Sequence, residues 1–160
     1  MATPTYDLLA STTLATAASS VTFSSIDQSY GDLILVTCAK ALNTDDSWLA
    51  FNGDESSNTW SRVRMVGDGS TAASAAFVNQ ARGYVLRDTT EFSVNIAHIN
   101  DYSATDKHKA VLSRDNRADD QVVATASRWA NTSGITSISI PASSGNFVAG
   151  STFNLYGVAK

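Results

Sequence analysis

The chain has 160 residues, a formal net charge of −4, 16% charged and 43% hydrophobic residues, and a single cysteine. That length fits one domain, residues 1–160, able to bury its own core without staples. The acidic balance argues against a nucleic-acid partner, which needs a basic footprint to displace counterions, and no apolar run approaches the roughly 18 residues of a membrane span.

Ser, Thr and Ala supply 62 of the 160 positions, so hydroxyls stand in for much of the usual charged surface. Strand signals dominate in chain order. They fall near residues 6–14, 20–26, 32–41, 48–52, 59–66, 82–88, 91–100, 107–114, 122–130, 135–140 and 151–158, about ten of which are expected to form. Val21 and Phe23 alternate with hydroxylated residues, as do Ile138 and Ile140, and Phe153 and Leu155 with polar ones. That period places each pair on one face. Leu33 to Val36 is apolar on both faces, as in a central strand. Phe92, Val94, Ile96 and His98 share one parity, which reads as a core-facing set with His98 hydrogen-bonded at its end. Turn chemistry separates the runs, with Asn52-Gly53-Asp54 and Gly67-Asp68-Gly69 accepting positive φ. Ala72 to Ala76 is Ala-rich but too short for an amphipathic helix. Many short strands without helices imply an all-β fold, an antiparallel sandwich.

Catalytic patterns are missing from the sequence. It has no Gly-x-Ser-x-Gly elbow. His98 and His108 have no metal-ligand partner at a recognisable spacing, and His108 reads as exposed. Glu55 and Glu91 are the only glutamates, a poor basis for paired-carboxylate chemistry. Residues Asp115 to Asp120 read as a solvated loop, with a structural calcium as the alternative. Cys38, within an apolar run, reads as a small buried hydrophobe. No catalytic residue, cofactor or metal is therefore expected. Met1 to Asp7 has neither a basic region nor an apolar stretch, so no signal peptide is read there, and synthesis in a cytoplasm is expected.

Binding candidates are more informative. Trp48, Trp60 and Trp129 are either core residues or aromatic platforms for a sugar ring, and core is the commoner fate of tryptophan. Arg62 and Arg64 point together away from Val63 and Met65. Two arginines on one strand face mark either an interface to a subunit or acidic partner, or a solvated face balanced by aspartates. Trp60, Arg62, Arg64 and Trp129 are thus the candidate contact residues.

The order of segments resembles a known group. Tyr6-Asp7-Leu8-Leu9-Ala10-Ser11-Thr12-Thr13-Leu14 leads to Ser19-Ser20-Val21-Thr22-Phe23, then Tyr30-Gly31-Asp32-Leu33-Ile34-Leu35-Val36 and Phe51-Asn52-Gly53-Asp54. The close is Trp129-Ala130-Asn131-Thr132-Ser133-Gly134-Ile135, Gly145-Asn146-Phe147 and Gly150-Ser151-Thr152-Phe153-Asn154-Leu155-Tyr156-Gly157-Val158. Together these resemble a family of small virion structural proteins of tailed bacteriophages, from about residue 6 to 158, with residues 70–120 matching least. The resemblance implies a jelly-roll-like sandwich with no catalytic residues, assembled into virions in the host cytoplasm. It also implies self-association, with a homotrimer expected, and contact with capsid or tail proteins. The expected role is capsid decoration, stabilising the shell by clamping neighbouring subunits. A tail-fibre or adaptor subunit touching host glycans is the second expectation, and a free lectin-like module the third.

Overall fold

A computed structural model describes residues 5–41, 46–87, 91–116, 121–142 and 144–160. Twelve strands are seen: β1 (Tyr6–Thr13), β2 (Ser20–Phe23), β3 (Asp32–Ala39), β4 (Asp46–Phe51), β5 (Trp60–Gly67), β6 (Ala72–Gln80), β7 (Gly83–Arg87), β8 (Ser93–Asn100), β9 (Lys109–Asn116), β10 (Val122–Trp129), β11 (Ile138–Pro141) and β12 (Thr152–Val158). They form two antiparallel sheets, β1-β12-β3-β8-β9-β10-β5-β6 and β2-β11-β4-β7. The fold is the expected all-β sandwich, and each of the eleven anticipated ranges carries a strand. The twelfth, β6, falls outside those ranges. Its sequence, AASAAFVNQ, has exposed positions on both faces, so no inside-outside alternation marks it, and alanine has little strand preference.

With β5, β6, β9 and β10 left out, the sheets read β1-β12-β3-β8 and β2-β11-β4-β7. Consecutive strands then cross from sheet to sheet except at β4 to β7, which is the interlocked double Greek key of a jelly roll. Two hairpins are inserted into it. β5–β6 enters between β4 and β7, and β9–β10 between β8 and β11. Both join the edge of one sheet beyond β8, making a four-stranded extension in the order β9-β10-β5-β6.

The jelly-roll part buries its core as the alternation demands. Leu33 and Leu35 of β3, Phe153 and Leu155 of β12, and Ile138 and Ile140 of β11 all lie between the sheets. At the base of the extension the core is aromatic. Trp60 and Trp129 are cross-strand partners with ring centroids 6.4 Å apart, and Phe51 of β4 packs on them at 5.0 and 5.4 Å. Such contacts add to area burial by about 1 kcal/mol each.

The opposing sheet reaches this cluster through a glycine. A methyl group on Gly83 would sit 2.6 Å from the Trp60 ring, too close for either to give way cheaply. We expect Gly83→Ala to cost about 1–3 kcal/mol, read from urea unfolding, whereas an unchanged midpoint would mean that β7 does not pack on Trp60.

Candidate interaction surface

Parity explains where the candidate residues go. Trp60 shares a face with Arg62 and Arg64, because side chains alternate along a strand. With Trp60 committed to the core at 1% exposure, both arginines must also point inward. Arg62 is only 6% exposed. Its guanidinium stacks 4.3 Å over Phe77 and 5.2 Å over Trp48. Arg64 lies 5.5 Å over the same Phe77 ring and 3.6 Å from Asp46. Neither arginine forms an outward contact face, and this corrects the sequence expectation. The structure does bring Trp60, Arg62, Arg64 and Trp129 together, but as interior. With both rings buried, Trp60 and Trp129 offer no platform to a sugar. Trp48 is half-buried beneath Arg62.

The arginines belong to a polar stretch of the inner sheet face. Register sets Ser127 opposite Arg62, and Thr125 opposite both Arg64 and Ser113. Asn95 and Asp115 form the next row. All of these except Arg64 are buried. Strand β7 roofs them: Tyr84 donates its hydroxyl to Asp115 at 3.0 Å, and Asn95 Nδ2 donates to the Val85 carbonyl. Burial, reinforced by the Asp115 charge, drives the Tyr84 pKa far upward and keeps the phenol neutral. Burial also pulls Arg62 below its ordinary value, opposed by Asp46. Several atoms here find no hydrogen-bond partner: Arg62 Nε and Nη1, Ser113 Oγ, Thr125 Oγ1 and Ser127 Oγ. Orphaned buried donors carry a desolvation cost.

The outer face has the opposite character. One row across all eight strands reads Leu8, Tyr156, Ile34, His98, Leu112, Ala126, Val63 and Ala76. The next row over the extension adds Ile96, Arg114, Ala124 and Met65, and the one beyond it Val94, Asn116 and Val122. Met65 is 58% exposed, Leu112 57%, Val122 65%, Val63 50% and Val94 43%. On β5, β9 and β10 the faces are therefore inverted: apolar side chains meet solvent while Arg62, Ser113, Thr125 and Ser127 sit inside. Across one end of β8, β9, β10, β5 and β6 lies an open concavity of about 830 Å³, lined by Met65, Ala72, Val94, Ile96, Arg114 and Val122 among others.

Two further expectations are corrected on β8 and β3. His98 shares parity with Val94 and Ile96, but that parity faces outward on β8, with Ser93, Asn95, Ala97 and Ile99 inside. His98 is hydrogen-bonded, as expected, at 2.9 Å from Asp32 Oδ2, yet it lies on the surface. Cys38 is on the outer side of β3 and half-buried rather than buried. His108 is exposed, as expected. Of the acidic loop, Asp115 and Asn116 end β9, and residues 117–120 lie outside the described residues. Among the described residues, no three His, Cys, Asp or Glu side chains gather around a common point, and no helix is long and apolar enough to cross a membrane. No family model matches the chain, and no curated protein is significantly similar to it.

Two stability effects follow from this geometry. Replacing Arg62 with Met keeps the packing on Phe77 and removes the orphaned donors, so Arg62→Met is expected to be neutral or stabilising by about 1 kcal/mol. A loss above about 3 kcal/mol in urea unfolding would show that the charge itself holds the interior. Asp54 accepts the Trp129 indole N–H at 2.9 Å and the Ser56 amide at 3.0 Å. Burial works against its charge, but the Ser56 amide and Trp129 indole outweigh it and leave the pKa below its ordinary value. A depressed carboxylate contributes stability above its unfolded pKa of about 4, and loses it as pH falls through the folded value. The stability gap between wild type and Asp54→Asn should thus be widest near neutrality and close in acid, and a pH-independent gap would contradict the assignment.

Proposed function

We propose that this protein is a non-enzymatic structural subunit on the surface of a tailed-bacteriophage particle, a capsid decoration protein that associates with copies of itself and clamps the shell. The observation that carries the reading is the inverted extension. A sheet that turns Met65, Leu112 and Val122 to solvent while burying hydroxyls and guanidinium groups has an outer face suited to burial. Apolar patches of such extent on isolated proteins mark interaction sites. Met65, Leu112, Val122, Val63 and Val94 together present on the order of 500 Å² of side chain, against about 800 Å² per partner in a stable interface. The jelly-roll frame, found among viral capsid proteins and lectins alike, is compatible with the role. The ordered segments that resemble small phage virion proteins supply the particle context. The lectin alternative loses its aromatic pair, since Trp60 and Trp129 are interior.

Leu112 lies near the middle of the apolar rows, so Leu112→Glu tests the self-association. We expect wild type to be oligomeric at micromolar concentration by light scattering, and Leu112→Glu to dissociate with its strand circular dichroism intact. A strictly monomeric wild type would overturn that part. The particle assignment is tested by quantitative mass spectrometry of virions split into heads and tails. The proposal predicts many copies tracking with heads. A few copies tracking with tails would replace decoration by a fibre or adaptor role, and absence from both would overturn the virion reading.

A further inference from the structure

We infer that two copies of this chain join through β6, pairing edge to edge as antiparallel strands across a two-fold axis and carrying the eight-stranded sheet from one copy into the next. This rests on the self-association part of the proposed function, not on the phage assignment. β6 ends the sheet: β5 pairs with one side of it, and no described strand pairs with the other. A free edge exposes a row of backbone donors and acceptors, and proteins that stay alone blunt such edges with charge, proline, a bulge or a covering segment. From Ala72 to Gln80 there is no charged residue, no proline and no glycine. The irregularity opposite Trp60 to Arg62, where Asn79 has φ +57°, lies at the far end of the strand, leaving Ala72 to Phe77 in unbroken register with β5.

The edge is also held firmly in place. At the β5–β6 turn, Asp68 Oδ1 accepts the amides of Ser70 and Thr71 at 2.9 and 2.6 Å, and Oδ2 accepts the Thr71 hydroxyl at 2.6 Å. The Thr71 hydroxyl leads the contacts that hold Asp68 well below the usual carboxylate range. The hairpin therefore projects as a defined ledge.

A second copy is the occupant that fits. An uncharged strand matches itself, whereas a charged partner would find nothing to pair with. The opposite edge of the sheet, β1, is broken by a bulge between Leu8 and Ala10, and β6 docked on it would be a head-to-tail contact that need not close. Self-pairing closes at two. Strand pairing alone buries less than the roughly 800 Å² per partner of a stable interface. The two-fold stands normal to the sheet, so the concavities of both copies open on the same side and add no buried area, and the pair is expected to form at high protein concentration. The expected symmetry is then two-fold, where the family resemblance implied a trimer.

The test uses the full chain with Cys38→Ser as background. Single cysteines are placed at Ser74, Ala75 and Ala76, and Ala75→Lys is made separately. In an antiparallel two-fold pair, the residue at the axis faces itself with Cβ atoms about 5 Å apart, close enough for a disulfide with slight adjustment. We expect a dimeric mass, one of the three cysteines forming a covalent dimer far faster than the others, and Ala75→Lys monomeric with native circular dichroism. If wild type is oligomeric, Leu112→Glu dissociates it, and yet Ala75→Lys has no effect and no cysteine cross-links, the β6 inference fails while self-association stands. A trimeric mass also overturns it. A monomeric wild type overturns both.

Discussion

The Trp60–Trp129 pair sets the handedness of everything around it. A strand has only two faces, and a residue committed to one commits every second neighbour with it. Two indoles stacked across β5 and β10, with Phe51 against both, are too large an apolar area to leave in water. Once they are inside, Arg62, Arg64, Thr125 and Ser127 follow them in, and Val63, Met65, Ala124 and Ala126 are forced out. The inverted face is thus a consequence of the aromatic anchor and of the period of the strand.

The polar interior is tolerable because of what lies opposite it. The opposing sheet has only four strands, and over the extension its cover is β4 and β7. Those strands bring Asp46, Trp48 and Tyr84 against the arginines and Asp115, so the guanidinium groups gain ring faces and a carboxylate in place of water. The match is incomplete, and the unpartnered nitrogens and hydroxyls add a desolvation cost to the monomer. An assembly that buries the outer apolar rows offsets it. The jelly roll supplies a stable frame, and under the proposed function the two inserted hairpins would supply the surface through which copies meet.

Much of the frame was legible in the sequence. Val21 and Phe23, Ile138 and Ile140, and Phe153 and Leu155 alternate cleanly, and each pair faces the core as its pattern requires. β8 and the extension were legible in periodicity but not in direction. The alternations of Phe92, Val94, Ile96 and His98, and of Val63 and Met65, are real, but a strand pattern shows which residues share a face and not which face is inside. Hydrophobicity alone predicts the larger side chains inward, and here they are outward. The signal that resolves the ambiguity on β5 was Trp60, whose parity matches the arginines rather than the valine and methionine. For β6 no signal existed, because a strand exposed on both sides has no alternation to read.

The most direct check on the central claim follows the surface itself. Met65 is in the middle of the inverted face, and Met1 is the only other methionine, so a methyl label on methionine reports on it with little overlap. We predict that the Met65 methyl is sheltered from a soluble paramagnetic agent in concentrated protein and becomes accessible on dilution. A Met65 methyl equally accessible at every concentration, in a chain that stays folded, would contradict the account.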